Sequence, residues 1–364
     1  MKALVLGRGA SGKGAGRLLA SRGLEVDYAE GYDIVVASPG IRTESELQLG
    51  CEELRRRGVR LLAVTGSKGK SSVVKLVAEA VNGIPCGNFG TSVSEVAATP
   101  WPDGKAKWAV VEVSSFQLET TTLAPDAFEA AAVLNLQEDH LDRHGSAGTY
   151  HALKMKLLSF AGRGICAWEI GGAEMDDASR LMRGSYFDNE VLRANGAAAV
   201  ALMRAAGLDD AAIAAAFAAF APLPHRMQRV GEFGGVLCID DSKATSIAAL
   251  RAGVRMAGRP VRLIAGGLAK GDDPADAIAD LTAMVKKVYL IGQSAEVFGK
   301  AWNVVVDCEV CETMERAVSS AMREAETGEA VLLSPGTASF DQFHSFGERG
   351  DVFAALVKKE GQRK

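Results

Sequence analysis

The chain has 364 residues, of which 48% are hydrophobic and 24% charged, with a formal net charge of −4. That length exceeds one ordinary core and predicts two or three domains of globular composition. The acidic balance argues against a nucleic-acid partner, and no apolar run approaches the ~20 residues that span a bilayer, so no membrane partner is expected.

The first block reads as strand Ala3–Leu6, loop Gly7–Gly12 and helix Lys13–Arg22, followed by strand Asp33–Ala37 ending at Ser38-Pro39-Gly40. The apolar start breaks at once into Gly7-Arg8-Gly9, which suits a strand and not a signal peptide. Gly7-Arg8-Gly9-Ala10-Ser11-Gly12 matches G-x-G-x-x-G after a strand, with Asp27 at the distance of a ribose contact. The glycines allow a tight turn and the helix start favours a diphosphate. A UDP group, a nicotinamide cofactor and a purely structural turn all fit, with UDP preferred because the block is short for a dinucleotide fold.

The second block opens with strand Leu61–Val64 and Thr65-Gly66-Ser67-Lys68-Gly69-Lys70-Ser71-Ser72, then a helix from about Lys70 to Val81. This is a shortened phosphate loop: backbone N–H groups cradle phosphates, Lys70 meets β/γ oxygens and Ser71 offers a hydroxyl to Mg²⁺. Trp108–Val113 and Ala130–Leu134 read as buried strands. Glu112 ends the first; Asp139 and His140 follow the second. A lone strand-end carboxylate is often merely solvated. Beside a phosphate loop the three together read as a metal-bearing cleft, since Mg²⁺ takes oxygen ligands and few protein groups. A metal and a second-substrate place next to bound phosphates point to an ATP-driven ligase rather than a simple ATPase. Thr149–Phe160 reads as a helix whose Lys154 has the character of a solvated surface lysine. Asn189–Ala206 and Asp209–Phe220 are Ala-rich helices, explained by intrinsic propensity.

Pro222-Leu223-Pro224 reads as a linker into a third block with strands Val236–Ile239, Val261–Ala265, Val288–Ile291, Val304–Val306 and Val331–Leu333. Helices between them predict a second doubly wound domain with ligands at the strand C-termini. Asp241-Ser242-Lys243-Ala244-Thr245 follows one strand, either in the cleft or as a helix cap. The Ser334–Phe346 loop follows another and carries three phenylalanines, which suits a pocket for a small polar substrate. Cys308-Glu309-Val310-Cys311 is a lone C-x-x-C. It reads as reduced thiols in a cytoplasmic enzyme rather than zinc.

Taken in order, T-G-S-K-G-K-S, V-S-S-F-Q-L-E, L-N-L-Q-E-D-H-L-D-R-H, L-P-H-R, D-S-K-A-T and S-P-G-T-A-S-F-D-Q-F resemble the Mur ligases of peptidoglycan synthesis. The second, fifth and sixth resemble the D-glutamate-adding branch. The resemblance implies an α/β protein of three domains: a short Rossmann-like UDP-binding domain (1–60), a central P-loop ATPase-like parallel-sheet domain (61–224) and a Rossmann-like amino-acid-binding domain (225–364). It implies ligation of D-glutamate to UDP-N-acetylmuramoyl-L-alanine through an acyl phosphate, by a monomer.

By the same resemblance, ATP meets Gly66, Ser67, Lys68, Gly69, Lys70, Ser71, Ser72, Asn195, Arg226 and Asp241. The muramoyl-alanine substrate meets Gly9, Ala10, Ser11, Asn88, Ser114, Gln117 and His140. D-glutamate meets Lys243, Thr245, Lys270, Ser339 and Phe346. Two Mg²⁺ ions are implied, held by Ser71, Glu112, His140 and a carbamylated Lys154 in a Y-x-x-x-K pattern from Tyr150. Lys70, Glu112, His140 and Lys154 form the implied catalytic set.

The chain departs from the family pattern in its short first block, in a short Gly162–Asn195 segment and in Lys68, where an asparagine is usual. These departures touch uridine and adenine binding more than the chemistry. Three further readings compete. One is a related ligase that adds another amino acid, or glutamate to folate. Another is a trimmed, non-catalytic binder of wall precursors, and the last is a nicotinamide-dependent oxidoreductase.

Overall fold

The computed structural model describes residues 2–30, 44–137 and 141–362. The predicted strand Asp33–Ala37, Asp139 and His140 lie outside the described residues. The chain divides into two compact units, Met1–Phe220 and Ala221–Lys364.

The first unit begins with β1 (Lys2–Leu6), α1 (Ala10–Ser21) and β2 (Glu25–Ala29), which form a two-stranded parallel sheet with its own helix. The helix starts three residues before the expected Lys13, with Gly9 as its N-cap. Asp27 lies on β2, paired with Leu4, a strand that the sequence reading did not identify.

There follow α2 (Glu46–Arg56), β3 (Arg60–Thr65), α3 (Lys70–Ala80), β4 (Ile84–Gly87), α4 (Val93–Ala98), β5 (Trp108–Glu112), α5 (Ser115–Thr120), β6 (Phe128–Val133), α6 (Leu141–His144), α7 (Ala147–Lys156), β7 (Ala161–Cys166), α8 (Gly172–Leu181), α9 (Arg193–Ala205) and α10 (Asp210–Ala219). The five strands form a parallel sheet in the order β4-β5-β3-β6-β7. Residues of β3, β5 and β6 are buried almost without break, as a sheet covered on both faces requires.

Helix α1 lies close to α4. A Cβ on Gly14 would crowd the hydroxyls of Ser92 and Ser94, so the glycine permits the approach. Glu46 on α2 accepts the N–H of Ser94 at 2.7 Å. The helix expected over Thr149–Phe160 turns into a 3₁₀ segment at Leu157–Phe160. The helix expected from Asn189 begins at Arg193, because the Asn189 side chain accepts the Leu192 N–H and makes a turn there.

The second unit contains β8 (Gln228–Phe233), β9 (Val236–Asp240), α11 (Ile247–Met256), β10 (Val261–Gly266), α12 (Ile278–Met284), β11 (Val285–Ile291), α13 (Ala295–Trp302), β12 (Asp307–Glu312), α14 (Met314–Glu324), β13 (Ala330–Leu333) and α15 (Phe346–Gly361). Its sheet runs β12-β11-β10-β13-β9-β8, parallel except for the β8–β9 pair. The strand expected at Val304–Val306 is a correction. Val305 and Val306 return their N–H groups to Trp302 in the turn after α13, and the strand is the following Asp307–Glu312. Cys308 and Cys311 lie on that edge strand as free thiols. No helix among the described residues is long and apolar enough to cross a membrane.

Candidate functional site

In the first unit the site is built at the C-terminal ends of β3, β5 and β6. The Thr65 hydroxyl donates to the Val113 carbonyl at 2.7 Å and ties the first two strands together where they stop. The phosphate loop turns on Gly66 (φ 149°) and on Gly69 (φ 84°), which caps α3. Asn135 clamps the loop. Its carbonyl accepts the Ser67 N–H at 3.0 Å, its Oδ1 accepts the Lys68 N–H at 2.8 Å, and its Nδ2 donates to the Lys68 carbonyl at 2.9 Å. Ser67 is held from below by Gln137 and by the Tyr150 hydroxyl. Asn135 sits in the quoted motif, yet nothing in its spacing assigned it this task.

Asn195 is buried directly over the loop. A Cβ on Gly69 would collide with its amide. We expect Gly69→Ala to raise the Michaelis constant for ATP about tenfold or more. Steady-state kinetics with varied ATP checks this, and an unchanged constant would mean the loop tolerates the collision.

Lys70 curls over the loop, its Nζ donating to the Gly66 carbonyl at 2.8 Å and to Ser67 at 3.2 Å. Lys154 is 2% exposed, so its reading as a solvated surface lysine is overturned. Its Nζ lies 4.5 Å from the Tyr150 ring centroid and donates to the same Gly66 carbonyl at 3.0 Å. Two ammonium groups thus converge on one oxygen at the loop, which suits an anion in front of them. Sequence order alone leaves α7 facing outward or inward. Packing against α5 brings it inward.

Glu112 is 2% exposed, paired in register with Val64 on one side and Gly87 on the other. The solvated-carboxylate alternative therefore fails. Asn88 donates its side-chain amide to Glu112 Oε1 at 2.8 Å, so Asn88 here orients the carboxylate. Glu112 Oε2 is buried without a hydrogen-bond partner among the described residues. An unpaired buried carboxylate oxygen is costly unless a cation completes it. That orphan, paired in register with Val64 at the entry to the phosphate loop, fits an Mg²⁺ held by one carboxylate, the Ser71 hydroxyl and substrate phosphates. Among the described residues no cluster of three His, Cys, Asp or Glu side chains forms. His140 lies outside them. Ser114 and Gln117 cap α5 reciprocally, through Ser114 N–H to Gln117 Oε1 at 2.9 Å and Gln117 N–H to Ser114 Oγ at 3.3 Å. Gly9, Ala10 and Ser11 stand at the α1 N-terminus, and Ser72 is buried in the first turn of α3.

The second unit gathers its named residues where β9 and β13 end. Neither Asp241 nor Ser242 caps a helix, because Ser246 takes that role for α11. Asp241 is buried instead, accepting the Ser334 hydroxyl at 2.9 Å and the Met227 N–H at 3.2 Å. Burial pushes its carboxyl up to about 7, against the pull of Ser334, Met227 and the Arg226 charge. Between pH 4 and 7 the native state therefore binds the proton that the unfolded state releases, so this group costs stability as pH rises. We expect Asp241→Asn to be more stable than the parent by about 3–4 kcal/mol at pH 8, with the gap closing below about pH 4. Urea unfolding at both pH values checks this. A pH-independent gap would show that folding does not raise the Asp241 carboxyl above its unfolded value.

Lys243 lies 3.8 Å from the Phe346 ring centroid. Burial, Arg226 and Lys270 hold its amine below the usual value. Lys270 Nζ reaches Thr245 Oγ1 at 3.4 Å. Three cations within electrostatic reach of one another, with a hydroxyl and an aromatic face, suit a small anion. Ser339 is buried in the loop after β13.

Arg349 went unnoticed in the sequence because a helical arginine usually faces water. Here it is buried and donates to Ser242 Oγ and to the carbonyls of Ser242, Thr337 and Ala338 at 2.8–3.1 Å. It thereby joins the Asp241–Thr245 loop to the Ser334–Phe346 loop. Burial lowers its guanidinium to about 10.

Residues 64–168 match the Mur ligase middle domain and residues 225–336 the Mur ligase, glutamate ligase domain. A UDP-N-acetylmuramoylalanine–D-glutamate ligase of Nitratidesulfovibrio vulgaris is 34% identical over 423 aligned positions, covering 98% of this chain and 96% of the relative. That alignment is longer than the 364-residue chain, so the relative carries internal segments that this chain lacks. A ligase of the same name from Rubrobacter xylanophilus is 35% identical, covering 96% and 91%. Among solved structures, MurF ligase from Thermotoga maritima in complex with ADP superposes with a TM-score of 0.64 at 16% identity, covering 100% of this chain and 95% of that one. The bifunctional folylpolyglutamate synthase/dihydrofolate synthase of Yersinia pestis, complexed with AMPPNP and Mn ion, gives 0.56 at 18%, covering 88% and 95%. At such identities the two structures share the fold with this chain.

Proposed function

The chain belongs to the Mur ligase family, and from that premise we propose that it joins D-glutamate to UDP-N-acetylmuramoyl-L-alanine at the expense of ATP, in peptidoglycan precursor synthesis. The observation that carries the site assignment is the orphaned Glu112 Oε2 beside a clamped phosphate loop. A carboxylate is a poor electrophile. Transfer of the γ-phosphoryl group to the L-alanyl carboxylate releases ADP and makes an acyl phosphate; the amine of D-glutamate attacks its carbonyl carbon and gives up a proton, and phosphate departs with the electron pair of the broken C–O bond.

In this reading the loop from Gly66 to Ser72 and Lys70 hold the triphosphate, with Asn195 against the loop. Ser71 and Glu112 hold Mg²⁺, which supplies charge neutralisation at the transferred phosphoryl group. His140 and a carbamylated Lys154 hold a second ion. The uridine diphosphate lies at Gly9, Ala10 and Ser11, while Ser114, Gln117 and Asn88 border the muramoyl-alanine arm. Arg226 and Asp241 are assigned to ATP by the family resemblance. Lys243, Thr245, Lys270, Ser339 and Phe346 receive D-glutamate, whose two carboxylates suit the cationic cluster. The enzyme acts as a cytoplasmic monomer with domains at 1–60, 61–224 and 225–364.

Phosphate release with ATP, Mg²⁺ and UDP-N-acetylmuramoyl-L-alanine tests the reading. D-glutamate is compared with L-glutamate, L-alanine, L-lysine and meso-diaminopimelate. Release with D-glutamate alone is expected. Release with another amino acid would keep the ligase and overturn the amino-acid site; release with none, from folded protein that binds ATP, would favour a non-catalytic binder.

A further inference from the structure

We infer that His144 is a positioning residue that seats the first turn of α5 against the helix carrying Tyr150 and Lys154. The inference rests on the ligase reading for what α5 binds, namely the muramoyl-alanine arm.

His144 ends α6, and its side chain is only 1% exposed. Nδ1 lies 3.2 Å from Glu119 Oε1, and Nε2 lies 3.0 Å from the Ser115 hydroxyl. Glu119 also takes the Arg143 guanidinium, which holds its carboxyl below the usual range. Each ring nitrogen of His144 thus faces one polar partner, Nδ1 the Glu119 carboxylate and Nε2 the Ser115 hydroxyl. The imidazole also packs between two aromatic rings, Phe116 at 5.3 Å and Tyr150 at 5.4 Å between centroids. Tyr150 in turn donates to Ser67 of the phosphate loop at 3.2 Å.

An acid, an imidazole and a serine hydroxyl in this order resemble the relay of a nucleophile. Ser115 is 2% exposed, however, and its oxygen faces the ring under the helix. The chain therefore holds α5 in place; it does not attack a substrate. Such a hold is needed because α5 has only six residues, too few to keep a helical turn without tertiary support. The Ser114–Gln117 box sets where the helix starts. His144 sets which way that start faces, with Phe116 43% exposed on the outer side. Ser114 and Gln117, which follow Glu112 in the chain, thus depend on a residue outside the ligand contacts proposed above.

The test is calorimetric titration of the full chain with UDP-N-acetylmuramoyl-L-alanine and, separately, with Mg-ADP. His144→Phe keeps a ring between Phe116 and Tyr150 and removes both polar contacts. Its Kd for the muramoyl ligand should rise about tenfold, while that for Mg-ADP should change by less than about twofold. Ser115→Ala should reproduce the loss and serves if the first variant fails to fold. His144→Gln, whose amide takes the place of Nε2 before Ser115, should recover most of it. Loss of both ligands in parallel, or of neither, overturns the inference while leaving the ligase reading intact. A parent protein that binds neither ligand overturns the ligase reading and this inference with it.

Discussion

Replacement of Lys154 by alanine is expected to lower turnover about a thousandfold while the fold survives. The side chain is buried, and its Nζ shares the Gly66 carbonyl with Lys70 at the phosphate loop. Truncation removes the side-chain nitrogen from the phosphate loop and leaves a cavity beside Tyr150, costing about 2 kcal/mol of stability. Far-ultraviolet circular dichroism and thermal melts separate that modest loss from the kinetic one. Two further measurements distinguish what Lys154 supplies. If it works as a carbamate, short carboxylic acids added to Lys154→Ala restore part of the activity, and Lys154→Arg stays inactive. If it works as a cation, Lys154→Arg retains substantial turnover and carboxylic acids do nothing. Near-normal turnover of Lys154→Ala would remove Lys154 from the catalytic set.

Glu112→Gln should separate stability from activity in opposite directions. The variant keeps the shape and an oxygen for the Asn88 amide, but it removes a buried negative charge whose Oε2 has no partner among the described residues. Without ligand it should melt at or above the parent, because an unpaired buried carboxylate burdens the fold. Turnover should fall at least about a hundredfold, since no anionic oxygen remains to hold Mg²⁺ at the phosphates. The stabilisation that Mg-ADP confers on the parent should shrink in the variant by the lost affinity. A variant that melts well below the parent would mean Glu112 serves the fold, and one with parental turnover would place the metal elsewhere.

Much of the frame was legible locally. Strands β3, β5 and β6 are short apolar runs ending in polar residues, and the Gly-Lys-Ser turn between β3 and α3 has one conformational reading. The Val304–Val306 run misled because three valines satisfy strand propensity, whereas here Val304 is exposed and Val305 and Val306 sit in the turn after α13. Backbone hydrogen bonds to Trp302 decided for the turn. The extra strand β2 escaped because its five residues, Glu25-Val26-Asp27-Tyr28-Ala29, are only partly apolar and the sheet they join has just two strands.

By itself the sequence determined strands β3, β5 and β6, the phosphate loop and the carboxylate at the end of β5, because these depend on neighbours within a few residues. Only the tertiary structure decided where Lys154, Asn135, His144 and Arg349 lie and what they touch. Each is a polar residue on a segment whose local pattern allows either exposure or burial. Its role depends on partners 67 residues away for Asn135 and Lys68, 88 for Lys154 and Gly66, and 107 for Arg349 and Ser242. Propensity and periodicity act over a turn or a strand; the cost of leaving a buried polar group unpaired acts across the whole unit and selects the one packing in which these groups meet.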